Sequence, residues 1–150
     1  MLRFSLRSQC FTLLALTLGG LATGCTKSPG GLVQVNGKMT VDGKPAEGAS
    51  LVFFPDGADD PSKIAAGVVD SSGQYKLVTN LQPGIHPGNY KVTATWPDRP
   101  KDKTGNFSMG NSNDPPDLLK GRYSSPMKTK LTAEVTSSTK EMPPIELSTK

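Results

Sequence analysis

Cysteine and histidine are nearly missing from this chain, and both shortages narrow what it does. The only two cysteines, Cys10 and Cys25, lie in the first sixth of the 150 residues. The chain after residue 25 therefore holds no disulfide of its own, and its stability must come from its core. One histidine, His86, and no later thiol leave too few ligands for a zinc site of the usual kind. A Ser-His-Asp apparatus would have to use His86, but Pro83-Gly84-Ile85-His86-Pro87-Gly88 reads as a rigid surface turn. Acid is absent from residues 1–24. No apolar run is long enough to cross a bilayer. The longest, Cys10 to Ala22, covers about 13 residues, or about 20 Å of helix, where a span needs about 20 residues. Lysine and arginine are scattered, so the formal charge of +4 leaves no footprint for nucleic acid. No internal repeat is visible.

What is present starts at the N-terminus. Arg3 and Arg7 make a positive segment and Phe11, Leu13, Leu14, Leu16 and Leu18 an apolar one, which Leu21-Ala22-Thr23-Gly24-Cys25 closes. The arrangement resembles a bacterial lipoprotein signal. Ala22 stands where such signals usually show Leu, and Ala22-Thr23-Gly24 would also serve an ordinary secretory signal, so Cys25 separates the two. The resemblance implies cleavage before Cys25 and lipid, palmitate included, on residue 25. A single acyl chain holds a protein only marginally, so two or three are expected. The chain then divides into a signal peptide (1–24), a flexible tether (25–31) and a domain (32–150). Loss of Arg3 and Arg7 lowers the formal charge to +2. The expected place is the cell membrane or outer membrane, facing the periplasm or the exterior, with membrane lipid as the partner through Cys25.

Past Gly31 the hydrophobic period is two. Val33, Val35, Met39 and Val41 alternate with polar residues. Leu51 to Phe54 is apolar on both faces. Ile64 to Asp70 and Gln74 to Thr79 read as a hairpin across Asp70-Ser71-Ser72-Gly73. Tyr90, Val92, Ala94 and Trp96 alternate cleanly, as do Leu131, Ala133 and Val135, and Ile145 and Leu147 end the series. This predicts an all-β, seven-stranded antiparallel β-sandwich. Its core should hold Val35, Leu51, Phe53, Tyr75, Tyr90, Val92 and Trp96. Residues 97–129 break the rhythm as a long loop, poor in apolar residues. They are expected to have little fixed structure except near Leu118, Leu119 and Tyr123, with one helical turn capped by Asp114, begun by Pro115 and stopped by Gly121.

Four pieces share one resemblance: Val35-Asn36-Gly37-Lys38-Met39-Thr40-Val41-Asp42-Gly43-Lys44-Pro45, Phe53-Phe54-Pro55, Asp70-Ser71-Ser72-Gly73-Gln74-Tyr75 and Pro87-Gly88-Asn89-Tyr90-Lys91-Val92. Together they resemble carboxypeptidase regulatory-like domains, which are transthyretin-like (prealbumin-like) Greek-key sandwiches common in short bacterial lipoproteins. The resemblance covers nearly all of residues 33–147. It implies a fold and a domain that is usually non-catalytic. The zinc ligands of carboxypeptidases that carry such domains sit in a separate catalytic domain. Related hydroxyisourate hydrolases rely on more than one His and a C-terminal Tyr-Arg-Gly-Ser. This chain has one His and ends Ile145-Glu146-Leu147-Ser148-Thr149-Lys150.

Few other residues suggest chemistry. Asp56, Asp59 and Asp60 offer carboxylates for Ca²⁺ but miss the EF-hand spacing, so a solvated loop is expected. Asn106-Phe107-Ser108 matches a glycosylation sequon of a kind frequent by chance. Trp96 reads as core rather than as a sugar platform. The sequence thus points to a non-catalytic, lipid-anchored cell-envelope module with no cofactor, binding an envelope protein or a glycan. The alternative is an envelope carbohydrate-binding protein or hydrolase that uses the loop 97–129.

Overall fold

The computed structural model describes residues 31–57, 60–99 and 115–150. Cys25, Asp59, Asn106 and Asp114 lie outside the described residues. The fold is all-β, with ten strands among the described residues: β1 (Asn36–Val41), β2 (Lys44–Pro45), β3 (Ser50–Pro55), β4 (Ala65–Val68), β5 (Gln74–Lys76), β6 (Val78–Thr79), β7 (Gln82–Pro83), β8 (Gly88–Thr95), β9 (Thr132–Val135) and β10 (Ile145–Leu147). They form two sheets, an arrangement consistent with a β-sandwich. One sheet runs β7-β6-β4-β3-β8-β9. In the other, β10 lies along one edge of β1, while β5 and β2 pair with β1 over different residues.

Alternation builds the core. In β1, Met39 and Val41 are buried while Asn36 and Lys38 face solvent. β3 and β8 set Phe53 opposite Val92 and Leu51 opposite Ala94. These side chains join Met39, Val41, Tyr75, Tyr90 and Val135 in one cluster drawn from both sheets. Of the expected core, Trp96 alone is only partly buried, and its indole Nε1 donates to the Glu47 carbonyl at 3.0 Å.

Three expectations need correction. The sheets are not wholly antiparallel, because β10 runs parallel to β1, with Met39 opposite Ile145 and Val41 opposite Leu147. Residues 136–144 carry the chain from β9 in one sheet to β10 in the other. On the way Asn36 N donates to Lys140 O at 3.1 Å and Met142 N to Asn36 O at 2.8 Å, so the last strand enters beside β1 in the same direction. Period-two alternation carries no information on strand direction.

The expected strand 74–79 is also divided. The Asp70–Gly73 turn forms, but the chain changes sheet at the buried Leu77: β5 pairs with β1, and β6 pairs with β4.

Finally, residues 118–123 form hydrogen-bonded turns, not a helix. Asp117 organises them. Its Oδ1 accepts from Trp96 N at 2.7 Å and Leu119 N at 3.0 Å, and its Oδ2 accepts from Gly121 N at 2.9 Å. Leu119 is fully buried, and Thr129 Oγ1 donates to Val92 O at 2.7 Å, so 115–129 packs along β8.

Candidate functional site

Each sheet ends in a short strand on the same side of the molecule: β9 closes one sheet and β10 the other. A cleft of about 550 Å³ opens between them. Its apolar lining comes from Val92, Leu131, Ala133, Met142 and Ile145, and Tyr75 completes it. The exposed side chains of Lys130, Glu134 and Glu146 add both signs of charge to its walls. An apolar pocket with few polar groups is the usual form of a small-ligand site.

Tyr75 is the aromatic residue among those that line this cleft. β5 places it directly opposite Gly37 in β1. A Cβ at Gly37 would lie 2.3 Å from both Cζ and Oη of Tyr75, so the phenol occupies the space a side chain would take. Such rings cover the backbone that a strand glycine leaves bare. The ring is 1% exposed and packs against Phe53 with centroids 6.3 Å apart. Among the described residues its hydroxyl is the one buried side-chain polar atom with no hydrogen-bond partner. Burial pushes that hydroxyl up to about 12, so it stays protonated and is a donor at any ordinary pH. An unpaired buried donor costs about 1–3 kcal/mol and calls for an explanation.

Tyr90 shows the ordinary solution. It also packs against Phe53, with centroids 6.2 Å apart, and its hydroxyl donates to the His86 carbonyl at 2.8 Å. His86 itself sits half-buried in the turn before β8 and contributes its backbone there.

The acidic residues are used locally. Asp70 Oδ1 accepts from Ser72 N at 2.8 Å and Gln74 N at 3.0 Å, and the Ser72 hydroxyl and these N–H groups hold its carboxyl below the usual range. Asp60 caps a short turn, Pro61–Lys63, and meets Lys63 Nζ at 3.3 Å. The Ser62 hydroxyl, ahead of its backbone N–H, lowers the Asp60 carboxyl. Asp56 gives its backbone N–H to Asn89 O at 2.8 Å. Among the described residues no group of three or more His, Cys, Asp or Glu side chains is placed to hold a metal. The third member of the calcium candidate, Asp59, is outside them, as is the lipidation candidate Cys25.

Sequence reasoning placed Tyr75 in the core, where it lies. It missed Asp117 and the cleft. Gly37 was the available signal, a glycine in the middle of an alternating strand, which often marks close approach by another group. No protein-family model, no curated protein and no solved structure matches this chain.

Proposed function

We propose that this chain is a non-catalytic binding module of the cell envelope, anchored by lipid on Cys25, that takes its ligand in the cleft between β9 and β10. The unpartnered Tyr75 hydroxyl carries the reading. It is a buried donor on a residue that lines a cleft of apolar lining and charged walls, which suits a ligand with an apolar body and a neutral oxygen acceptor. The fold is read as the transthyretin-like Greek-key sandwich of carboxypeptidase regulatory-like domains. The turns of that resemblance support it: Gly43 and Gly73 take positive φ, at 77° and 82°, and Asp70 bridges its turn. The alternative places binding or hydrolysis on residues 97–129. It is weakened by 115–129, whose backbone and side chains are tied to β8 and to Asp117.

Amide-shift mapping with a library of small neutral fragments tests the cleft. Hits should move the amides of Leu131–Glu134 and Met142–Glu146, and Ala133→Trp should abolish them by filling the cleft. Tyr75→Phe should weaken hits that carry a carbonyl. Hits that cluster elsewhere, or that survive Ala133→Trp unchanged, would contradict the reading.

A further inference from the structure

The hairpin of β6 and β7 turns through Asn80 and Leu81, both with positive φ, at 49° and 64°. Two-residue hairpins of this kind take Asn-Gly by preference, because both central residues must be left-handed. Asn80 fits, and its Nδ2 donates to Ser62 O at 2.9 Å. Leu81 stands where glycine is expected. It is 96% exposed, so its side chain returns no packing for the backbone strain. A lone exposed leucine is ordinary; one held in a left-handed conformation at a hairpin tip is not.

The place of this tip gives the leucine a partner. β7 leads within two residues to Ile85, which exchanges hydrogen bonds with Val33, N to O at 2.8 Å and 3.0 Å. Gly84 makes the approach possible, since a Cβ there would lie 2.9 Å from Val33 O. The chain from Cys25 therefore enters the domain beside this hairpin. Leu32 lies seven positions after Cys25, a reach of at most about 25 Å, and Leu81 lies four positions before Ile85, at most about 14 Å. Lys76 and Lys140 border a shallow groove with Pro83 and Gly84 at the same end, and Lys27 lies in the tether. Glu141 lies beside Lys140, bridged to Asn36, which pairs with Lys76; Asp60 caps the turn whose Ser62 carbonyl meets Asn80, and Lys63 pairs with Asp60.

We propose that Leu81 is a membrane-inserting tip: with Cys25 lipidated, the β6–β7 hairpin meets an anionic lipid surface and buries Leu81 among the acyl chains. This fixes the domain's orientation on the bilayer. It rests on the lipid-anchor reading of Cys25. A single apolar residue adds little affinity alone, but beside a covalent anchor it acts at high effective concentration.

The full lipidated chain carrying Leu81→Cys, labelled with an environment-sensitive nitrobenzoxadiazole probe, tests this on phosphatidylethanolamine–phosphatidylglycerol vesicles. Val68→Cys is the control. Val68 is 62% exposed on the same sheet, three residues along β4 from the Ala65–Thr79 pair that adjoins the tip. The vesicles should float the protein, and the probe at 81 should become blue-shifted and severalfold brighter while the probe at 68 stays water-like. A chain that floats with both probes water-like overturns this proposal alone. A chain that fails to float overturns the anchor reading and this proposal with it. Leu81→Asn relieves the strain, so it should raise the melting temperature; a lowered one would make Leu81 a structural residue and overturn the proposal.

Discussion

Tyr75 and Tyr90 pack against the same phenylalanine, yet only one finishes its hydrogen bonding. Sequence parity is enough to bury both rings. Which hydroxyl finds a carbonyl depends on where another segment passes, and alternation does not record that. His86 O is near Tyr90 because Pro87 and Gly88 turn the chain just before β8, whereas Tyr75 lies over Gly37 and points at no acceptor. The difference has a pH signature. The unfolded Tyr75 hydroxyl ionises near 10, and in the fold it is held to about 12. Between those values the folded state keeps a proton the unfolded state has lost. Stability is therefore whole below about pH 10 and falls as pH rises toward 12. Denaturant titrations at pH 9 and pH 11.5 should show a loss for the parent that is smaller in Tyr75→Phe. Phe53, which both tyrosines touch, is fully buried. Its truncation to Ala should cost about 3–5 kcal/mol, most of the stability of a small domain. A melting temperature within a few degrees of the parent would contradict that placement.

At the scale of elements, hydrophobic patterning located β1, β3, β8, β9 and β10 well and failed where polar groups do the organising. The segment 97–129 looked unable to order itself because it is poor in apolar residues. What orders its second half is one carboxylate. Asp117 accepts three backbone N–H groups, two of them in its own turns and one from Trp96 at the end of β8. A charged acceptor shared by three donors leaves no pattern of period 2 or 3.6. Asp117→Ala should leave those N–H groups unpaired and cost about 1–3 kcal/mol. Faster hydrogen exchange should then appear at Leu119 and Gly121 first, and unchanged exchange there would remove Asp117 from this role. The split of the expected strand 74–79 has a similar origin. Residues 74–79 show an unbroken alternation, with Tyr75, Leu77 and Thr79 buried and Gln74, Lys76 and Val78 exposed. That run is satisfied by either sheet, and only the three-dimensional path sends β5 to β1 and β6 to β4.

For the whole molecule, the two sheet edges at β9 and β10 create the cleft, and the chain enters the domain beside the β6–β7 hairpin, the end we propose to face a membrane. Neither was visible in the sequence, since both arise from residues far apart along it: Tyr75 with Ala133 and Ile145, and Val33 with Ile85. The proposed anchor is the reverse case: its signature lies within the first 25 residues, outside the described structure. It is also the claim on which location, orientation and the role of Leu81 depend. Labelling with radioactive palmitate, followed by membrane fractionation of the parent and of Cys25→Ser, tests it most directly. The account predicts a labelled, membrane-bound parent and an unlabelled variant released to the soluble fraction. A Cys25→Ser chain that still takes up palmitate and stays with the membranes as the parent does would contradict it.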